Sequence, residues 1–391
     1  MANQKRELQN IIFETMAIKI LNVINGGLSS DGVTTMWYTY CKEMKRQGLD
    51  KRVKMVFPYI EGMSLPSVEE KFNGIRVATP HVPCRHDHPI KYFFSLLKLL
   101  KQEKYDIIQV NGSSSVLFVE LLAGWLNGIE IRLAHSRNTQ CYHNNFHNFF
   151  KPLFRILCNE RFACGEDAGK WLFPNQNFII IHNGKDFSDY KYSEEERKAL
   201  RSKYGLEGKY VIGHVGKFIK TKNHSFLLEV FQETKKIIPD SILYLMGEGE
   251  EMDSIKALVI EKGLTNSVIF AGLVTDMPKR LQAMDIMLLP SLFEGLPNVV
   301  IEWQAMGLPC IVSDGITKEC ALSDLVTFMS LSSKSNEWAY KIREIKDSGR
   351  IRLNDASNSS IILRKSGYDI KEGALFLVKK YEEIVIKHKR Q

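Results

Sequence analysis

Glu294 and Glu302 stand eight positions apart in SLFEGLPNVVIEWQAMG. Glu294 falls in a turn with Gly295, Leu296 and Pro297, and Glu302 lies inside an apolar helical pattern that opens near Asn298. A carboxylate accepts several hydrogen bonds, so each can hold hydroxyl groups, and a carboxylate pair can also serve acid–base chemistry at a sugar carbon. Glu302 comes four residues after Asn298 and shares a helix face with the helix start. There it suits a vicinal diol such as ribose, while Glu294 at the turn suits the hydroxyls of a sugar beyond it. Pro297 has the fixed φ expected of a first helical residue. The amides from Gly295 to Asn298 are then expected to point at an anion, with phosphates the matching guest. Two ordinary helix-surface glutamates would share the spacing, but the Gly and Pro of the turn favour the functional reading.

Further basic and glycine positions cluster at strand ends. The strand-like YVIGHV runs into Gly216 and Lys217, and Lys222 precedes a helical pattern near Asn223. Two ammonium groups beside a helix N-terminus make a diphosphate site, although solvated surface lysines look the same in isolation. Gly247 and Gly249 follow the next strand in MGEGEE, where absent side chains let a ligand approach backbone N–H groups; the dinucleotide fingerprint's third glycine is missing. In the first half, Asn25-Gly26-Gly27 with Gly32, then Asn111-Gly112-Ser113, then His135-Ser136-Arg137, end strand-like runs. His135 could orient a sugar, although a lone histidine is more often structural.

These residues need elements to hold them. From Ile18 the chain alternates short apolar runs with amphipathic stretches, the pattern of a parallel sheet covered by helices. IKILNVI, VKMVFPY, IRVATP, YDIIQVNG, IEIRLAHS and RFACG read as strands, and the first series closes with NFIIIHNG. A charged passage near 184–205 reads as a linker, after which YVIGHVG, SILYLMG, SVIFAG, IMLLPS and CIVSD repeat the alternation. The expected organisation is α/β with two doubly wound, Rossmann-like domains. Residues 17–190 form the first, 200–368 the second, and 369–391 a last helix packing back toward the first. Ligands of such sheets sit beyond the carboxyl ends of the strands, so two facing domains are expected to enclose a cleft.

VGKFIKTKNHSFLLEVF, YLMGEGEEM and VIFAGLVTDMPKRLQAMDIMLLPSLFEGLPNVVIEWQAMGLPCIVSD resemble the donor-binding domain of retaining GT-B glycosyltransferases with the E-x7-E motif, the group 1 or family 4 type. Enzymes of bacterial capsule and exopolysaccharide synthesis are the most similar members. The resemblance implies a hexosyltransferase (EC 2.4) that moves a sugar from a nucleoside-diphosphate sugar, the UDP form expected, to a glycan or undecaprenyl-linked acceptor. It implies retention of anomeric configuration and no cofactor or metal. By it, Glu302 binds the ribose and Glu294 the transferred sugar, with Lys217 and Lys222 on the diphosphate. Gly216, Gly247, Gly249, Gly295, Leu296 and Asn298 complete the donor site. His135 joins Glu294 and Lys222 as catalytic, and Gly26, Gly27, Gly32 and Asn111 face the acceptor. Lys217 stands where the family usually has Arg, keeping the charge without the planar fork. Gln109 and Asn111 replace histidines common in relatives. A nucleotide-sugar 2-epimerase and a non-catalytic accessory subunit are the competing readings.

The bulk properties set limits. The chain has 391 residues, 44% apolar and 25% charged, as soluble two-domain proteins do. Its net charge of +8 is spread out: residues 1–190 carry 23 Lys/Arg against 18 Asp/Glu, and the rest 30 against 27, so neither half is a nucleic-acid-binding arm. Seven cysteines without C-x-x-C spacing argue for a reducing compartment, and the cytoplasm is expected. His81, Cys84, His86 and His88, and Cys141, His143 and His147, are zinc-type ligands without a finger spacing, so no metal is expected. MANQKRELQNIIFETMA does not read as a signal peptide, and no apolar run is long enough to span a bilayer. KYFFSLLKLLKQEK and HNNFHNFFKPLFRIL mix apolar faces with cations, so peripheral contact with the inner membrane face is open beside ordinary burial.

Overall fold

The computed structural model describes residues 17–141 and 144–390. One compact unit takes in the chain up to Lys185 together with Gly367 onward, and Asp186–Ser366 form the other. Strands of the first unit are β1 (Ile18–Ile24), β2 (Val53–Val56), β3 (Tyr59–Ile60), β4 (His81–Val82), β5 (Ile107–Gly112), β6 (Ile131–Ser136), β7 (Glu160–Ala163) and β8 (Ile179–Ile180). Its helices are α1 (Gly32–Arg46), α2 (Pro66–Gly74), α3 (Pro89–Gln102), α4 (Phe118–Leu126), α5 (Asn144–Leu157) and α6 (Glu166–Leu172).

The main sheet has the order β2-β1-β5-β6-β7-β8, all parallel. In β1 the side chains alternate, as a strand buried on both faces requires. Ile18, Ile20 and Ile24 join a core with Trp37 and Tyr40 of α1, while Leu21 and Val23 join one with Leu96 of α3, Leu121 of α4 and Phe154 of α5. The chain's last long helix, Ile370–Lys389, lays Leu377, Val378, Tyr381 and Val385 into the first of these cores. The chain leaves this unit and re-enters it at one place: Lys185 N–H donates to Tyr368 C=O at 2.8 Å, and Ile370 N–H donates to Lys185 C=O at 3.0 Å.

In the second unit, α7 (Glu194–Lys203) precedes β9 (Tyr210–Val215), α8 (His224–Ile237), β10 (Ser241–Met246), α9 (Met252–Glu261), β11 (Val268–Phe270) and α10 (Met277–Gln282). Then come β12 (Ile286–Leu289), α11 (Asn298–Ala305), β13 (Cys310–Ser313), β14 (Val326–Met329), α12 (Ser335–Asp347) and α13 (Arg352–Leu363), with Ile370–Lys389 as α14 of the first unit. The parallel order β11-β10-β9-β12-β13-β14 is the dinucleotide-fold arrangement, which reverses direction between β9 and β12. The crevice beyond the carboxyl ends of those two strands is where such sheets bind ligands.

Three local readings change. IRVATP forms only a single bridge, Ala78 to Val56. The amides of Ile75, Arg76 and Val77 are spent closing the end of α2, whose Phe72 is fully buried. The charged passage after residue 184 is not all linker, because α7 forms inside it. Ser193 caps that helix, three glutamates occupy its first turn, and Arg197 and Arg201 both reach Asp285, which also accepts from Val211 N–H. Its docking is ionic rather than apolar, so no hydrophobic stripe announces it. Beyond CIVSD, β14, α12 and α13 complete the unit where the sequence reading assigned nothing.

Candidate functional site

Sequence-distant residues meet at the β9/β12 reversal. The loop after β9 carries Gly216 and Lys217, a short 3-10 turn spans Lys220–Lys222, and Asn223 adopts φ 56° before α8, which has no side-chain cap. The loop after β12 runs alongside it, with Leu292 N–H donating to Thr221 C=O at 2.8 Å. That approach brings the Lys222 ammonium onto Glu294, with 17% and 18% of the two side chains exposed. Glu294 also bridges to Ile316 after β13, so its backbone is held from both sides. Lys217 is exposed.

Helix α11 opens with Pro297 at the cap position, φ −72° and ψ 104°, rather than as its first helical residue. Proline supplies no side-chain cap, and Val300 N–H turns back to Pro297 C=O at 3.1 Å. Gly295 and Asn298 are half-buried and Leu296 is buried. Glu302 is no surface glutamate, being only 7% exposed. A buried carboxylate needs a partner, and Tyr190, in the segment leading into this unit, hydrogen-bonds it. Burial, then the charge of Glu302, holds the Tyr190 phenol well above its ordinary pKa, so it stays a donor.

Gly247 and Gly249 have a packing purpose. Gly247 has φ +142°, and a Cβ there would lie 2.0 Å from Gly216 C=O; one at Gly249 would lie 2.5 Å from Phe218 C=O. The glycines let the loops after β9 and β10 touch. Gly247 N–H is spent on Gly272 C=O at 2.9 Å, so it is not offered to a ligand.

In the first unit, Gly27 has φ +68° and packs on Met63 and Ser64, whose Oγ accepts from Leu28 and Ile60 N–H at 2.9 Å each. Gly26 is exposed, and Gly32 is the exposed first residue of α1, which Asp31 caps through Thr34 N–H at 2.8 Å. Asn111 does not lie at the surface. It is buried, accepting from Trp37 Nε1 at 2.8 Å and donating to Asn22 Oδ1 and to Val23 C=O. Gln109 is likewise buried and accepts from Tyr381 of α14.

His135 is fully buried, set edge-on to Trp37 and Phe162 at ring distances of 6.0 and 5.9 Å. Arg137 Nη1 donates to its Nε2 at 3.0 Å, and Arg137 Nη2 donates to Asn183 at 2.7 Å. Burial, then the Arg137 charge, holds His135 well below its ordinary pKa, so it is neutral at pH 7. The imidazole has no surface of its own and contacts the Arg137 guanidinium instead.

Residues 209–347 match the family described as Glycosyl transferases group 1. The EpsF glycosyltransferase of Bacillus subtilis is 29% identical over 384 residues, covering 92% of this chain and 96% of the relative. An Escherichia coli protein named UDP-Gal:alpha-D-GlcNAc-diphosphoundecaprenol alpha-1,3-galactosyltransferase is 28% identical, covering 60% of this chain and 64% of its own. This chain carries a group 1 glycosyltransferase domain over residues 209–347. Its fold is of the GT-B type: the Anabaena HepE structure in complex with UDP-glucose superposes with a TM-score of 0.75 at 16% identity, over 94% of this chain and all of the other.

Several residues of this glycosyltransferase escape sequence reasoning. Tyr190 lies in what looks like a linker. Gln304, on α11 beside Glu302, donates to Val300 and Cys320 C=O and accepts from Leu322 N–H, Ser323 N–H and Ser323 Oγ, tying the following loop to the site's helix. His214 and His224 stand edge to face at 4.7 Å beneath Lys222, with His224 stacked on Phe218 at 4.1 Å. Burial, then Lys222, pushes His224 down to about 4. Of the zinc-type residues, His81 stacks on Tyr59 and pairs with Glu69, and His147 stacks on Trp171 and accepts from Ser115 N–H. His143 lies outside the described residues, as do residues 1–16, the leading extension. Among the described residues no helix is long and apolar enough to cross a membrane.

Proposed function

We propose that this glycosyltransferase moves a hexose from a nucleoside-diphosphate sugar, in the UDP form, to a glycan or lipid-linked glycan acceptor in bacterial capsular or extracellular polysaccharide synthesis. The observation that carries the reading is the meeting of Lys222, Glu294 and Glu302 with two helix starts that lack side-chain caps, at the reversal point of a dinucleotide-type sheet. Glu302 takes the ribose diol, and Lys217, Lys222 and the α8 and α11 amides take the diphosphate. Donor arrival exchanges partners: the ammonium of Lys222 turns to phosphate, and the released Glu294 carboxylate accepts hydroxyls of the sugar. The UDP-glucose complex of HepE and the lipid-linked acceptor in the name of the E. coli relative support these substrate classes.

The reaction proceeds with retention. The bond from the anomeric carbon to the phosphate oxygen breaks, the acceptor oxygen bonds to that carbon from the same side, and its proton passes to the departing phosphate. Lys222 and the helix amides stabilise the charge that develops on the leaving group. Glu294 holds the sugar and forms no covalent bond. Neither a metal nor a cofactor is required.

A panel of nucleotide sugars tests the reading by thermal stabilisation. A ligand at a hundred times its Kd raises stability by about 2.7 kcal/mol. UDP-sugars are expected to shift the melting temperature and to lose the shift in Glu302→Ala. No shift with any nucleoside diphosphate or its sugar, at millimolar concentration, rules the site out.

A further inference from the structure

Helix α5 is apolar on more of its circumference than its own domain covers. His147, Phe154 and Leu157 face the core. One helical step away, Phe146, Phe149, Leu153 and Ile156 repeat at intervals of three, four and three, which aligns them in a second row. That row is exposed: 75% of Phe149 and 76% of Ile156 are open to solvent. A third row, Asn148, Lys151 and Arg155, is polar and cationic. Helix α3, on the same side of the sheet and sharing the core of Leu96, Leu121 and Phe154, exposes Ile90 and Phe94 at 72% and 64%. Between them α4 ends in exposed Trp125 and Leu126. Scattered exposed apolar residues are ordinary, but several large ones across three adjoining helices mark a contact surface.

Charge says what the contact is. Pro89–Gln102 and Asn144–Leu157 carry Lys91, Lys98, Lys101, Lys151 and Arg155 and no Asp or Glu. The one carboxylate of α4, Glu120, is fully buried, bonded to Tyr92 and paired with Arg85 at 3.2 Å. Apolar rows flanked by cations, without an opposing carboxylate, match a bilayer interface with anionic headgroups: rings and aliphatic chains enter the acyl boundary while ammonium and guanidinium groups reach phosphates. A second copy of this face would set like charges against one another, because these helices carry no Asp or Glu outward.

We infer that the α3–α4–α5 face of the first unit docks on an anionic membrane surface. The inference extends the lipid-linked acceptor reading, because it locates where the enzyme meets the bilayer holding such an acceptor. The test is sedimentation of the full chain with phosphatidylglycerol–phosphatidylcholine vesicles and with phosphatidylcholine alone. Wild type is expected to bind the anionic vesicles preferentially, and the Phe149→Ser/Ile156→Ser variant to lose about tenfold or more in partitioning. Both positions are exposed, and circular dichroism checks the fold. Lys98→Gln/Lys101→Gln, altering surface cations alone, is expected to lose several-fold on anionic vesicles only. Equal partitioning of the first variant, no wild-type binding, or equal binding to neutral vesicles overturns the inference. So does a wild-type dimer in solution that Phe149→Ser abolishes, which would give the face to a second copy. The vesicles carry no sugar acceptor, so this result is independent of the lipid-linked reading. That reading fails separately if the membrane-bound enzyme transfers only to soluble acceptors.

Discussion

Replacing Lys222 by alanine tests the proposed donor site most directly, because the structure specifies what is left behind. Loss of the ammonium removes a charge-assisted contact to the diphosphate, worth about 1.5–3 kcal/mol. It also strands the Glu294 carboxylate, less than a fifth exposed, beside the arriving phosphates. Two unit charges 4 Å apart repel by about 1 kcal/mol in water and about 4 kcal/mol at an effective dielectric near 20. Partial solvent access puts the combined loss near 3 kcal/mol, about 150-fold in Kd. Glu294→Gln in the same background removes the repulsion without restoring the contact, and is expected to recover about tenfold of the loss. Titration calorimetry with UDP, at one fixed ionic strength, measures all four corners of the cycle. UDP affinity in Lys222→Ala within about threefold of wild type, or a double variant no tighter than the single, refutes the partner exchange.

Three further perturbations probe neighbouring parts. Tyr190→Phe removes the donor that orients Glu302, so it should erase the preference for UDP over 2′-deoxy-UDP while changing the melting temperature little; a preference unchanged from wild type would mean that Tyr190 only fills space. Gly247→Ala forces a strained φ and places a methyl on Gly216 C=O, costing about 3 kcal/mol, or about 6–12 °C of melting temperature for a unit of this size; a shift under about 2 °C would contradict the loop contact. His224 is neutral in the fold down to about pH 4, whereas the unfolded chain takes up the proton below its ordinary 6.5. Its contribution to stability is therefore complete above that value, falls as the pH drops through the window and levels off near 4, a loss of up to about 3 kcal/mol. His224→Gln should flatten the pH dependence of urea unfolding over that interval, and an unaltered slope would argue against it.

The alternation of buried strands and helices is written in local periodicity, so both sheets are legible without coordinates. What local pattern misses is whatever is held by distant partners. Helix α7 is a string of charges until Asp285, over eighty residues on, supplies the carboxylate that its arginines grip. Residue types and spacing single out Lys222, Glu294 and Glu302 as groups worth locating. The salt bridge between the first two depends on β9 lying next to β12, which only the strand order reveals. Gly247, Gly249 and Asn111 show the converse: their types suit ligand contact, yet loop packing and a buried amide network employ them. His135 is similar, since its position at a strand end is plain in the sequence but its enclosure by Trp37 and Phe162 is not.

The return of the chain through Lys185 and Ile370 has a consequence for biosynthesis. A ribosome delivers the chain from its N-terminus, and domains generally fold as they emerge. Here the sheet of the first unit emerges early, yet Leu377, Val378, Tyr381 and Val385, which close its core, follow only after the whole of the inserted unit. The inserted unit, Asp186–Ser366, is complete before then and can fold first. The nascent protein thus carries a finished second domain while the hydrophobic face beneath α14 still waits to be covered. A truncation within Ile370–Lys389 consequently harms the unit whose sheet is encoded at the opposite end of the sequence.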